Sequence, residues 1–206
     1  MKVLLVNGSP KQLNTTFTGL SEVEKSLNDN GIETEVFWLG NKAICECIGC
    51  MACIKLGKCF MDDKVNEFVD KAKDFDGFVF GTPVHYAAAS GSITSFMDRV
   101  FFSNSATLAY KPAACIVAAR RAGTTATFEQ LNKYFTINNM PVVSSNYWNA
   151  VHGLTPQEVQ QDKEGLQTMR ILGQNMAWLL KCIEIAKQNG LNHPVIQERE
   201  ATNFIH

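Results

Sequence analysis

The run Val3-Leu4-Leu5-Val6 is continuously apolar and breaks at once into Asn7-Gly8-Ser9-Pro10. Consecutive apolar residues bury side chains on both faces of a pleated ribbon, so this run reads as a strand covered on each side, followed by a turn. Similar runs recur at Gly77-Phe78-Val79-Phe80-Gly81, at Ala113 to Ala119 and at Val142-Val143, and an alternating one at Ile32, Thr34, Val36 and Trp38 fits an edge strand. Between them the apolar residues fall at helical spacing: Phe17, Leu20, Val23, Leu27; then Val65, Phe68, Val69, Ala72; then Ile93, Phe96, Met97, Val100, Phe101; then Phe128, Leu131, Phe135. Strands alternating with helices specify an α/β fold with a parallel sheet between two helical layers. Right-handed crossovers lead to five parallel strands in the order 2-1-3-4-5.

Local signals set the boundaries. Gly31 closes the first helix, and Asp62 or Asp63 caps the one that starts near Val65. Thr155-Pro156-Gln157-Glu158 is a capping box with proline at the first helical position, from which a stripe of Leu172, Met176, Leu179, Leu180 and Ile183 is expected to continue to Gly190. The reading is one domain over 1–190, with a cysteine-rich loop at 45–59 after the second strand and a polar tail over 191–206.

Charge narrows the partners. The chain has 19 basic and 20 acidic residues, so it lacks the cationic surplus that grips nucleic acid or an anionic membrane, and small molecules are the expected partners. No apolar run approaches the ~20 residues of a membrane span. Nor does the start read as a secretory signal. Of seven cysteines, five fall between Cys45 and Cys59, unlike a disulfide framework, which fits a reducing cytoplasm and a local thiol function.

In an open parallel sheet, ligands bind beyond the carboxyl ends of the strands, where strand order reverses. The segments expected on that edge are 9–16, 45–59, 82–86, 120–125 and 147–152. The first runs straight into a helix, placing Ser9, Asn14, Thr15 and Thr16 beside free backbone amides where the helix dipole attracts a phosphate. It is neither GxGxxG nor GxxxxGK[ST], which favours a single phosphomonoester over a dinucleotide or a nucleoside triphosphate. An ordinary helix cap is the competing reading. Thr82-Pro83-Val84-His85-Tyr86 offers rigidity, backbone donors and two aromatic rings on which a flat ring system can lie. Arg120, Arg121 and Gly123 add two cations and a flexible backbone point at the same rim, suited to a reduced, anionic ring or to the phosphate of a nicotinamide nucleotide; a solvated basic turn is the alternative.

Together these residues resemble the NADPH-dependent FMN reductase superfamily, and within it the iron–sulfur flavoproteins. Gly8-Ser9-Pro10-Lys11 with Asn14-Thr15 is similar to the family's FMN-phosphate loop, and Thr82-Pro83-Val84-His85-Tyr86 with Ser90-Gly91 to its loop facing the isoalloxazine. Arg120, Arg121 and Gly123 fall where relatives have a third flavin loop, and His85 stands where many carry tyrosine. The resemblance implies a flavodoxin-like fold, bound FMN held in part by Lys11, a homodimer or homotetramer with FMN near the subunit interface, and electron transfer through the flavin.

The segment Cys47-x2-Cys50-x2-Cys53-x5-Cys59 is similar to the cysteine signature of iron–sulfur flavoproteins. Three thiolates at two-residue gaps suit one corner of a [4Fe-4S] cubane, with the fourth reaching in from farther along. A zinc site usually has two separated pairs, and a third reading is a set of thiols that holds no metal. Cys115 and Cys182 are expected in the core. The expected activity is an FMN-dependent transfer of electrons from NAD(P)H or a ferredoxin-type donor to a small acceptor such as a quinone or free flavin. A non-catalytic, flavodoxin-like electron carrier and a flavin-free phosphate-ligand binding protein are the alternatives.

Overall fold

The computed structural model describes residues 1–195, 197, 200, 202 and 204. The polar tail expected over 191–206 therefore lies partly outside the described residues. Five parallel strands form the main sheet: β1 (Lys2–Asn7), β2 (Glu33–Trp38), β3 (Gly77–His85), β5 (Ala113–Ala119) and β6 (Ala150–His152). Their order is β2-β1-β3-β5-β6, with a two-residue β4 (Ala88–Ala89) folded back antiparallel on the end of β3. The five-stranded 2-1-3-4-5 arrangement is thus met, with one short strand added. The middle of β1 is apolar because the strand lies between β2 and β3, and Val3 to Val6 are fully buried.

Two helical layers cover the sheet. On one face lie α3 (Lys64–Ala72), α4 (Gly91–Leu108) and α5 (Thr124–Thr136), over a phenylalanine cluster. Phe68 packs edge-on against Phe96 at 5.2 Å between ring centroids, and Phe80 lies 5.4 Å from Phe135, offset geometries that aromatic quadrupoles favour. On the other face α1 (Thr15–Asp29) and α7 (Lys163–Gln188) cover Val3, Leu5, Val79 and Ile116. These two helices approach closely at Gly173, where a Cβ would stand 2.6 Å from that of Ser26, and Ser26 donates its hydroxyl to the Arg170 carbonyl at 2.7 Å. α2 (Ala52–Leu56) is a short turn inside the cysteine loop, and α6 (Pro156–Val159) precedes α7.

Several boundaries differ from expectation. The fifth parallel strand is Ala150–His152; Val142 makes a single bridge to Ala113, and residues 144–148 then leave the sheet before the chain rejoins beside Val117–Ala119, where the Asn149 carbonyl accepts the Val117 amide. The segment 147–152 is therefore partly strand. β3 likewise runs through Thr82–His85, leaving only Tyr86 and Ala87 as a turn. Half of the capping box forms: the Thr155 hydroxyl accepts the Glu158 amide, while the Glu158 carboxylate accepts the amide of Leu154 rather than that of Thr155, and it starts only one helical turn; Asp162 caps α7 separately. Cys115 is buried as expected, but Cys182 is exposed, on the solvent side of the α7 stripe formed by Leu172, Met176 and Leu180.

Candidate flavin and cysteine sites

The first turn is built by a residue the motif reading passed over. Asn7, fully buried at the end of β1, accepts the Ser9 amide on Oδ1 at 3.0 Å and donates from Nδ2 to the Gln12 carbonyl at 2.9 Å. Asparagine followed two residues later by a free amide is the Asx-turn pattern, and that signal was present in Asn7-Gly8-Ser9-Pro10. The Ser9 hydroxyl accepts the Lys11 amide, so its oxygen shapes the loop and its proton remains to be donated. Trp38 on the edge strand β2 clamps the turn from outside, its indole N–H donating to the Ser9 carbonyl at 2.8 Å.

This turn delivers the chain to α1 with donors exposed. The amides of Thr15, Thr16 and Phe17 precede the first intrahelical bond, Thr18 N–H to Asn14 O, and have no acceptor among the described residues. Asn14 occupies the N-cap without making a side-chain cap bond, and the buried Thr16 hydroxyl has no partner. Three free amides, an uncommitted amide side chain and an orphaned hydroxyl at the positive end of a 15-residue helix fit a phosphate monoester. Lys11 is exposed beside them.

The third-strand segment is tied directly to the first turn. The Gly8 amide donates to the Gly81 carbonyl at 2.8 Å, and the Ser90 hydroxyl donates to the Gly8 carbonyl at 3.2 Å. A Cβ on Gly8 would meet the Gly81 oxygen at 2.9 Å, so the close approach requires glycine there. Thr82 and Pro83 are buried, Val84 is half-buried, and His85 and Tyr86 are exposed at the hairpin tip. Tyr86 sits at φ +60 with its ring fully in solvent. The fourth segment closes the rim: Gly123, at φ +88, is the N-cap of α5, and a Cβ on it would stand 2.9 Å from Val84 Cγ1. Arg120 and Arg121 are exposed just before it. The first, third and fourth segments are thus brought together on one edge, and the exposed, tilted pair Tyr147 and Trp148 shares a cleft with Thr124 of the fourth segment and with His152.

The cysteine loop lies on the same sheet edge, after β2. Cys47, Cys50, Cys53 and Cys59 line one open cleft together with Arg99, Phe60 and Phe102. Gly49 at φ +65, Met51 at φ +57 and Gly57 at φ +67 reverse the chain repeatedly, which wraps it around that cleft. Arg99 on α4 anchors the loop with its fully buried guanidinium, donating to Asp63 at 2.6 and 3.0 Å, to Cys59 Sγ at 3.3 Å from both Nε and Nη2, and to the Cys45 and Met61 carbonyls. Burial works against its charge, but the hydrogen bonds to Asp63 and Cys59 more than offset it and hold the guanidinium pKa above its ordinary value. Asn66, also buried, donates to the Cys59 carbonyl at 2.9 Å. Where α4 reaches this loop, Asn104 leaves helical geometry and its side-chain amide donates to the Gly57 carbonyl.

Comparison with known proteins places this geometry. Residues 1–155 match the family model described as NADPH-dependent FMN reductase. The chain belongs to the NADPH-dependent FMN reductase family. It is similar to an iron–sulfur flavoprotein of Methanocaldococcus jannaschii, at 33% identity over 195 residues, covering 89% of this chain and 100% of the relative. Among solved structures it is similar to RosB with bound 8-demethyl-8-formylriboflavin-5'-phosphate, with a TM-score of 0.71, 14% identity and coverage of 98% and 92%. It is also similar to a flavodoxin from the domain Archaea, with a TM-score of 0.61, 14% identity and coverage of 88% and 99%. The fold is flavodoxin-like, and family membership makes the chain a flavin-dependent oxidoreductase.

Cys47, Cys50, Cys53 and Cys59 share one cleft, and a set of four soft thiolates is chemically suited to an iron–sulfur group. Among the described residues no three His, Cys, Asp or Glu side chains converge as the ligands of one metal ion would. Behind Cys59 the Arg99 guanidinium supplies two hydrogen-bond donors of the kind a ligand thiolate accepts. Arg99, Asp63 and Asn66 escaped sequence reading as site residues. The available signal was an arginine inside the apolar stripe of Phe96, Met97 and Val100, where a charge has to find a buried partner.

Proposed function

We propose that the chain binds FMN across its first, third and fourth loops and transfers electrons from NAD(P)H or a ferredoxin-type donor to a small acceptor. One observation carries this reading: the unpaired amides of Thr15, Thr16 and Phe17 are fixed beside the third loop by the Gly8 to Gly81 and Ser90 to Gly8 hydrogen bonds. Ser9, Lys11, Asn14, Thr15 and Thr16 hold the phosphate by hydrogen bonds and charge. Thr82, Pro83, Val84, His85 and Tyr86 provide the wall for the ring. Arg120, Arg121 and Gly123 bring positive charge to the rim, which favours a ring that has gained electrons and attracts a phosphorylated donor. FMN supplies the redox chemistry; the chain's residues orient it and set its electrostatics.

Cys47, Cys50, Cys53 and Cys59 hold a [4Fe-4S] cluster in this reading, giving a one-electron connection between a protein donor and the flavin. The exposed Ile48, Met51, Ile54, Phe60 and Tyr86 near these sites suit burial against a second copy, as a homodimer or homotetramer. No helix among the described residues is long and apolar enough to cross a membrane, and the free thiols suit the cytoplasm.

The test is a titration of flavin-stripped protein with FMN and with riboflavin, followed by NADPH and NADH oxidation assays with a quinone acceptor. Tight FMN binding, weak riboflavin binding and turnover support the proposal. Equal affinity for the two flavins defeats the phosphate assignment, and bound FMN without turnover favours an electron carrier.

A further inference from the structure

We propose that Arg99 is the positioning residue of the cysteine loop: it fixes Cys59, the thiol set apart from the other three, and raises the reduction potential of the cluster those thiolates hold. The inference rests on the [4Fe-4S] reading above. Its basis is the reach of one side chain. From α4, whose neighbouring Phe96, Met97 and Val100 are wholly buried, the guanidinium bonds to Cys45 near the start of the loop and to Cys59, Met61 and Asp63 at its end. The loop is thereby closed around a rigid cation.

Two of those N–H groups point at one sulfur. Both Nε and Nη2 lie 3.3 Å from Cys59 Sγ, although a neutral thiol is a weak acceptor. A ligand thiolate carries negative charge and accepts such donors strongly. Reducing a metal–sulfur cluster by one electron adds negative charge that spreads onto its ligand sulfurs, so donors and a cation at Cys59 stabilise the reduced form and raise the potential. Asp63 opposes this. Its carboxylate neutralises part of the Arg99 charge through contacts of 2.6 and 3.0 Å. Removing the cation and removing its counter-charge must therefore move the potential in opposite directions, an outcome that a merely structural role does not produce.

The experiment uses full-length wild type, Arg99→Met and Asp63→Asn, each loaded with FMN and reconstituted anaerobically with iron and sulfide. Iron and acid-labile sulfide contents and the midpoint potentials of cluster and flavin are measured by spectroelectrochemical titration. Asn retains N-cap ability for α3, so Asp63→Asn keeps the loop end folded. The expected result is a cluster in Arg99→Met whose reduction equilibrium is at least tenfold less favourable, 59 mV more negative for one electron, with Asp63→Asn shifted positive and the flavin potential unmoved in both. If Arg99→Met fails to fold or to retain iron, the sign of the Asp63→Asn shift decides. Unmoved cluster potentials, or shifts of the same sign, overturn the role of Arg99 alone. Wild type without iron and sulfide defeats the cluster reading and this inference with it.

Discussion

Asn7 and Ser9 close the first turn on itself, the Ser9 amide donating to Asn7 Oδ1 at 3.0 Å with both residues buried. The turn's shape is therefore set by a side chain that needs no ligand. Asn7→Ala leaves the Ser9 amide without its acceptor in a buried position, which costs about 1–3 kcal/mol. An unfolding free energy lowered by that amount in urea denaturation, with weaker FMN binding, is the expected outcome; unchanged stability and affinity would show that the turn forms without the Asn7 side chain.

A carboxylate at the phosphate position tests the ligand assignment without breaking the helix. Thr15 is the first residue of α1, where an acidic side chain interacts favourably with the helix dipole. Thr15→Glu should therefore stay folded by circular dichroism while repelling a phosphate dianion and losing FMN on gel filtration. Retained flavin at wild-type occupancy contradicts the proposed loop.

The cysteine cleft and the flavin rim are separable by mutation because they use different segments. Cys50→Ala removes one thiol from the cleft and touches neither the α1 amides nor β3. The expected outcome is loss of the broad absorbance beyond that of flavin, together with acid-labile sulfide, while FMN stays bound. If anaerobic wild type has neither signal but binds stoichiometric zinc, the thiols serve a single metal ion.

The sequence exposed the fold through repetition. Val3 to Val6, Phe78 to Phe80 and Ala113 to Ala119 are buried on both faces in the structure, as strands of a parallel sheet covered by helices on each side are. Val142-Val143 misled only in extent: it pairs with Ala113 through one bridge, with the Val143 amide donating to the Ala113 carbonyl, but the regular ladder forms at Ala150–His152, where the Asn149 side chain donates to the Cys115 carbonyl and fixes the register. Loop chemistry was legible at Ser9, Thr15 and Gly123, whose residue types announce turns and caps. Arg99 was not, since its importance depends on Asp63 and Cys59, 36 and 40 residues away, which only the packed helices bring within reach.

The Tyr134–Asp98 pair gives a pH signature independent of either cofactor. Tyr134 donates its hydroxyl to the Asp98 carboxylate, and burial together with that hydrogen bond pushes the phenol above its ordinary value of 10.0. With the folded pKa raised, the unfolded chain loses this proton first as pH increases, so the stabilisation is complete below about pH 10 and fades as pH climbs through 10 toward the folded value. Tyr134→Phe keeps the ring against Phe101, 5.4 Å away between centroids, and removes only the hydroxyl. Wild type should exceed the variant by about 1 kcal/mol in urea denaturation at pH 7 to 9. That margin should shrink above about pH 10. Lys111, whose half-buried amine titrates low because of desolvation, is common to both proteins and cancels from the difference. A margin that stays constant into the alkaline range would show that the phenol does not carry it.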